Sequence, residues 1–168
     1  MVVKATTGSD VYVAIEQGGT IMAEGTSSNP IVFTSDSATP NPGDWGGLIV
    51  LGRAPINSVV GGDATSTSEI GGLPYGGSIA DDDSGIIRYV RIEYSGGAAD
   101  AASENNGFSF YAVGSGTTID FIQAFELGRD DNKTPGVKLI TIIYFITTSL
   151  STVGLGDIYA QTSAERVL

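Results

Sequence analysis

The sequence predicts an all-β protein of short strands, and three observations lead to this prediction. Short apolar runs recur along the chain, and each ends at Gly, Asn, Asp or Ser before it reaches the length of a stable helix. Most of the 24 glycines lie between these runs, where a β protein needs turns. The stretch Gly85–Gly97 alternates in the period of a strand with one buried face. Its alternating residues are Val90, Ile92 and Tyr94 on one face and Arg91 and Glu93 on the other.

The composition excludes several classes of function. A chain of 168 residues is long enough for one domain with a core. It has no Cys and no His, which excludes a disulfide framework, a thiolate metal site and a histidine base. The formal charge of −11 argues against a nucleic-acid partner and suits a secreted protein or a weak binder of cations. Residues 1–10 lack the pattern of a signal peptide, so we expect that any export signal has been removed or never existed.

Closely spaced strands begin the chain. Asp10–Ile15, Thr20–Gly25 and Ile31–Ser35 are predicted strands, and only a few residues separate them. Such linkers are too short for crossover helices, so the strands form hairpins or the successive sides of a coil. Further predicted strands are Leu48–Leu51, Phe108–Val113 and Thr118–Phe125.

Several segments, which follow one another along the chain, resemble corresponding motifs of a known protein family. They are Gly19–Ser35, Gly43–Asn57, Asp81–Gly85, Ile87–Tyr94, Asn106-Gly107 and Gly114–Phe125. Together they resemble a family of bacterial surface and secreted proteins whose fold is a right-handed parallel β-helix. The resemblance covers residues 10–128 and implies that equivalent strands of successive coils pair in parallel.

We therefore expect a single-stranded right-handed parallel β-helix over residues 8–128, with a β-sandwich as the alternative. Residues 57–83, dominated by Gly, Ser, Thr and Asp, are predicted to leave the coil as a long loop, and residues 129–168 to form a separate segment. The predicted inward pairs are Ile31 and Phe33, Leu48 and Val50, Val90 and Ile92, Phe108 and Phe110, and Ile119 and Phe121.

The C-terminal segment has a different character. Gly136–Ser151 is apolar and rich in Thr and Ser, and Thr152-Val-Gly-Leu-Gly-Asp157 follows it. These residues resemble the pore helix and selectivity filter of potassium channels, which implies that consecutive backbone carbonyls replace the hydration shell of an ion. The filter-like residues are Thr152, Val153, Gly154, Leu155 and Gly156. Nothing before Gly136 resembles a membrane span, so conduction by this chain alone is not expected.

Three origins of this segment remain open. A β-helix fragment and a pore fragment could be fused, or a filter-like loop could be grafted onto a soluble scaffold. Alternatively, the β-branched stretch Leu139–Thr147 forms further strands that cap the open end of the coil.

Candidate ligand sites are few. Asp81, Asp82 and Asp83 could bind calcium through adjacent carboxylates, although a solvated acidic turn explains them too. Glu126, Asp130 and Asp131 form a second acidic cluster of the same kind. Trp45 and Tyr75 could stack on sugar rings, although a lone Trp between glycines more often packs at a corner of the core.

Catalysis would need Arg88 and Arg91, since parallel β-helices include polysaccharide lyases and hydrolases. These arginines lie near Asp81–Asp83, but the alternation of the strand places them on opposite faces. A surface pair with Glu93 explains Arg91. We therefore expect no enzyme and no cofactor beyond weakly bound calcium or potassium.

The sequence thus indicates a non-catalytic structural, adhesive or glycan-contact module, extracellular or at the cell surface. Its expected partners are glycans or other surface proteins, and it could self-associate through the open coil ends or the C-terminal segment. A pore-region fragment in a membrane and a polysaccharide-acting enzyme are the alternatives.

Overall fold

The structure, a computed structural model, describes residues 1–57, 64–99, 103 and 105–128. Within these ranges the regular secondary structure consists of strands without a helix, in agreement with the all-β prediction. In order they are β1 (Val2–Ala5), β2 (Val13–Ile15), β3 (Ile21–Glu24), β4 (Ile31–Ser35), β5 (Leu48–Leu51), β6 (Thr65–Thr67), β7 (Pro74–Gly76), β8 (Gly85–Glu93), β9 (Phe108–Tyr111) and β10 (Thr118–Phe125).

The strands pair in parallel between successive passes of the chain. One sheet has the order β1-β4-β8-β10, with β3 also paired to β8, and a second has the order β2-β5-β9. A column of paired residues runs across the first sheet, in which Val2 lies beside Val32 and Val32 beside Arg91. Gln123 continues this column beside Arg91. Parallel pairing between distant segments is the pattern of a coil and excludes the antiparallel β-sandwich alternative.

The long strand β8 serves two sides of the coil. Its first half pairs with β3 and its second half with β4, and Tyr89 lies at the division. Tyr89 has a φ of 49°, and Phe121 at the matching place in β10 has a φ of 51°. Such left-handed corners reset the alternation of the strand, so that Ile87 and Val90 both point into the core.

The corners correct two predictions. Phe121 does not pair inward with Ile119, because after its left-handed turn the side chain is 61% exposed and Ile122 takes the place in the core. Arg88 and Arg91 do not lie on opposite faces, because Ile87 and Val90, which flank this corner, are both buried and the two arginines point outward.

The core lies inside the coil. Ile31, Phe33, Leu48, Val50, Val90 and Ile92 are buried there as predicted. Phe108 and Phe110 pack against the same cluster and are half-buried. Gly85 shows how closely the passes approach, since a Cβ at its φ of 102° would overlap the carbonyl oxygen of Ile21.

Strand β5 is buried on both faces, because part of the chain packs over its outer side. Residues 57–83, predicted as a loop, include the antiparallel hairpin β6–β7. Ile49 and Leu51 of β5 point outward and form a second apolar cluster with Ile70 of the hairpin. The hairpin is anchored to β5 by the apolar residues Ile70, Leu73 and Tyr75, which interrupt an otherwise polar sequence.

The limits of the coil differ slightly from the prediction. β1 lies before residue 8 and already pairs with β4, so the parallel sheet starts earlier. Residues 129–168, including the filter-like residues 152–156, lie outside the described part of the chain. Among the residues the structure describes, no helix is long and apolar enough to cross a membrane.

Candidate functional site

The candidate site is the outward surface of β3, β8 and β10, here called the open face because the structure describes no element packed over it. Its outward residues include Met22, Glu24, Arg88, Tyr89, Arg91, Glu93, Asp120, Phe121, Gln123 and Phe125. Phe121 is 61% and Phe125 38% exposed, which is unusual for large aromatic side chains on a sheet.

An ion-pair ladder crosses the first half of the open face. Glu24, Arg88 and Asp120 are register partners on three neighbouring strands. The Arg88 Nη1 atom lies 3.3 Å from Glu24 Oε1, and its Nε atom lies 3.5 Å from Asp120 Oδ2. One guanidinium is therefore shared by two carboxylates, and its charge is already compensated.

Arg91 is compensated in a different way on the second half of the face. Its Nε atom lies 2.7 Å from Glu93 Oε1, but the geometry does not make a hydrogen bond, so the contact is ionic. The other carboxylate oxygen of Glu93 accepts a hydrogen bond from Thr34 Oγ1 at 3.0 Å. The Arg91 guanidinium also lies 4.6 Å from the centre of the Phe125 ring, in a cation–π arrangement.

Aromatic rings line the corner between these two halves. Tyr89 and Phe121 stack with centroids 4.5 Å apart and planes 8° from parallel. Both residues hold left-handed backbone angles, which cost a side-chained residue about 1–2 kcal/mol. Tyr94 meets Phe125 edge-on at 6.3 Å.

Sequence reasoning missed Phe121 and Phe125 as surface residues. The alternation of β10 suggests that Phe121 faces inward with Ile119, and nothing local reveals the corner. The available signal was the repeat of an aromatic residue at one coil position, Tyr89 and then Phe121. That repeat becomes visible only after the strand register is known.

The predicted arginine constellation is partly assembled. Arg88 and Arg91 do share one surface, but the carboxylates beside them are Glu24, Asp120 and Glu93. Asp82 is paired elsewhere, with Arg53.

The acidic run Asp81–Asp83 has separate roles for its members. The Asp82 carboxylate is buried and accepts hydrogen bonds from Arg53 N at 2.9 Å and Arg53 Nε at 2.8 Å. Asp83 Oδ1 accepts the backbone N–H of Gly85 at 2.7 Å, and Asp81 is exposed. No group of three or more acidic side chains in the described residues is placed to hold a metal ion. Asp130 and Asp131 lie outside those residues.

Trp45 is not available to a sugar. It is 1% exposed, and its Nε1 atom donates a hydrogen bond to the Glu93 carbonyl at 2.9 Å. Its backbone bridges Gly8 and Ser95 of the passes on either side. The prediction of a glycan contact at Trp45 is therefore wrong. The glycines beside Trp45 let neighbouring passes of the chain close around the indole, which gives this residue the alternative role of packing at a corner of the core.

Tyr75 lies on the opposite side of β5 from the core. It stacks on Tyr111 with centroids 4.8 Å apart and remains half-buried, so its glycan contact stays a prediction. Burial raises the pKa of Tyr111 above its ordinary value of 10.0. Hydrogen bonds with the Glu69 backbone and with Ser109 lower the pKa, but the effect of burial is larger. This tyrosine pair belongs to the apolar cluster under the hairpin.

An apolar pocket of about 270 Å³ opens between β1, β2 and the side chains of Phe33 and Trp45. Its walls come mainly from half-buried core residues of the first pass, such as Val3 and Val13. Lys4, Thr6 and Tyr12 are the polar residues in its otherwise apolar lining.

Comparisons with known proteins agree with this architecture. A family model described as a pectate-lyase-like beta helix domain matches residues 1–133, and one described as an ion channel matches residues 108–168. No curated protein and no solved structure matches the chain. The first model spans more than half of the sequence, and its match coincides with the coiled parallel strands. The chain belongs to the family of pectate-lyase-like β-helix domains.

Proposed function

We propose that this β-helix is a non-catalytic module of the extracellular space or cell surface that contacts glycans through the open face. The Tyr89–Phe121 ring pair carries the proposal. The apolar faces of sugar rings stack on aromatic rings, and the corner of the sheet presents the Tyr89 and Phe121 rings on the outer surface. Structural and adhesive roles are consistent with the same surface.

The exposure of Phe121 supports a role beyond stability. Phe121 accepts a left-handed conformation that Gly or Asn would adopt at lower cost, yet its side chain remains 61% exposed. An exposed aromatic group at a strained position contributes little burial in return for that cost. The same left-handed angle occurs at Tyr94, Ala112 and Glu126, so the conformation belongs to the corners of the coil, and the exposure of the aromatic ring is what supports a functional role.

The ionic pattern supports a binding role rather than catalysis. A lyase needs a base with an available lone pair, and the chain has no histidine. Arg88 and Arg91 are both engaged by carboxylates. Such paired arginines link neighbouring side chains of the open face, and they are poor candidates for abstracting a proton.

The proposal extends to the handedness and the partners of the coil. Parallel strands joined by crossovers are right-handed in nearly all proteins, which favours a right-handed coil here. The charge of −11 favours solubility outside the cell, with weakly bound cations. Its proposed partners are glycans or other surface proteins, and self-association would use the coil ends or the C-terminal segment.

Affinity gel electrophoresis of the full chain tests this function. Migration of the wild type and Phe121→Ala is compared in gels with and without soluble polysaccharides. We expect retardation of the wild type that is measurably weaker for Phe121→Ala. Ile79→Ala is the matched control, because Ile79 is an exposed apolar residue outside the open face. Equal migration of the Phe121→Ala variant and wild type in every gel would contradict the proposal.

A pore-region fragment is the second candidate, and the ion-channel match to residues 108–168 favours it. The described part of that match, 108–128, forms β9 and β10, so channel character belongs to later residues. A pore predicts a detergent requirement, a fourfold mass and potassium flux in liposomes that Gly154→Ala abolishes. A detergent-free species without flux rejects it.

An enzyme acting on acidic polysaccharide is the third candidate, from the pectate-lyase-like description of the family. The test is to incubate the protein with polygalacturonate and to measure the unsaturated or reducing ends that cleavage would release. We expect none; release that Arg88→Ala or Arg91→Ala abolishes would replace the binding proposal with an enzymatic one.

A further inference from the structure

We propose that the open face selects uncharged glycans and rejects polymers that carry uronic acids. The inference rests on the proposed function and specifies the chemistry of its ligand. It follows from the charges and polar groups around Phe121.

Carboxylates outnumber cations on the open face. Glu24, Asp120 and Glu93 compensate Arg88 and Arg91. Among the outward residues of β1 and β4 in the same sheet, Lys4 adds one cation, but two strands separate it from β10. At about 4.8 Å per strand, three strand spacings put Lys4 about 14 Å from β10, which exceeds the screening length of about 8 Å in physiological salt.

A uronate would gain little from either arginine. Arg88 already has Glu24 at its Nη1 atom and Asp120 at its Nε atom, and Arg91 has Glu93 at its Nε atom. A uronate that shares either guanidinium stays close to these carboxylates, which repel it. The overall charge of −11 adds a repulsion of the same sign.

An uncharged sugar polymer meets a better set of groups along β10. Phe121, Gln123 and Phe125 alternate outward on this strand, and all three are exposed. The row spans at most about 13 Å at a rise of roughly 3.3 Å per residue. Two rings offer stacking surfaces and the Gln123 amide offers a donor and an acceptor to hydroxyls between them.

The test compares three soluble probes in affinity gels of the full chain: hydroxyethyl cellulose, galactomannan and polygalacturonate. We expect retardation by at least one uncharged probe and none by polygalacturonate. Phe121→Ala should weaken the retained affinity by roughly two- to tenfold, the range expected for one aromatic contact. The isosteric Glu24→Gln/Asp120→Asn double variant frees Arg88 and should gain binding to polygalacturonate without losing the uncharged probe.

The outcomes separate the inference from the function on which it rests. Retardation by polygalacturonate alone, or equally by all three probes, overturns the selectivity while glycan contact stands. Retardation by none of the probes overturns both. A double variant that gains nothing from polygalacturonate also overturns the charge argument. Circular dichroism of each variant verifies that the β fold is retained.

Discussion

The two outward faces of the coil differ in what covers them. On the covered face, the outer side of β5, Ile49 and Leu51 lie under the β6–β7 hairpin, and Tyr75 stacks on Tyr111. On the open face, Tyr89 stacks on Phe121 without a covering element in the described residues. Each face carries a stacked aromatic pair, but only the first is part of a core.

The comparison shows that an aromatic residue on an outer face can either stabilise the fold or remain exposed, depending on what covers it. Under the hairpin, burial of apolar surface stabilises the fold by about 25 cal/mol per Å². On the open face, the Tyr89 and Phe121 rings remain partly in water and contribute mainly through contact with one another. The first pair therefore serves stability, and the second is available to a ligand.

The largest expected effect distinguishes the two faces by matched truncations. Leu51→Ala removes a side chain that is 1% exposed and should lower the free energy of unfolding by about 2–5 kcal/mol. Phe121→Ala should change it by no more than about 1.5 kcal/mol, because only ring stacking is lost. Urea denaturation measures both values. A larger loss for Phe121→Ala than for Leu51→Ala would invalidate the comparison.

A smaller effect is expected where the hairpin joins the coil. Asp82→Asn weakens two hydrogen bonds from Arg53 and should cost about 1–3 kcal/mol, since Arg53 is partly exposed. Hydrogen exchange should accelerate in residues 65–76 before it does in β8. Asp81→Asn is the control, because Asp81 is exposed and should leave both measurements unchanged. Uniform acceleration throughout the coil would mean that Asp82 supports the whole fold.

The smallest effect concerns alkaline pH. Because the pKa of Tyr111 is raised in the folded state, its contribution is fully present below pH 10.0 and is lost as the pH rises through the folded pKa. Tyr111→Phe should remove this loss, so its stability should fall less than that of the wild type above pH 10. Thermal unfolding across this range measures the difference. Parallel stability curves for the two proteins would show that Tyr111 does not contribute.

Much of the fold could be predicted from local pattern. Strands of alternating apolar residues such as β4 and β8 are visible because one of their faces must be buried. The hairpin over β5 was harder to predict, since β6 reads Thr65-Ser-Thr67 and all three residues are exposed. Its apolar contacts come from Ile70 and Leu73, which lie in its turn and not in a recognisable strand.

The site was predicted less well than the fold. Arg88 and Arg91 were identified, but their common face depends on the left-handed corner at Tyr89, which no local pattern indicates. Trp45 was considered a ligand contact because a lone Trp beside glycines is compatible with both roles. Its burial depends on Gly8 and Ser95, which approach from other passes of the chain.

The sequence by itself determined that this chain forms short strands, turns at its glycines, has a formal net charge of −11 and contains no histidine base. These properties depend on local conformational preference and on composition, which are independent of distant contacts. Only the tertiary structure decided which aromatic rings are buried and which carboxylates meet Arg88. Those outcomes depend on register between residues far apart in sequence, because parallel pairing brings together side chains that no local period connects.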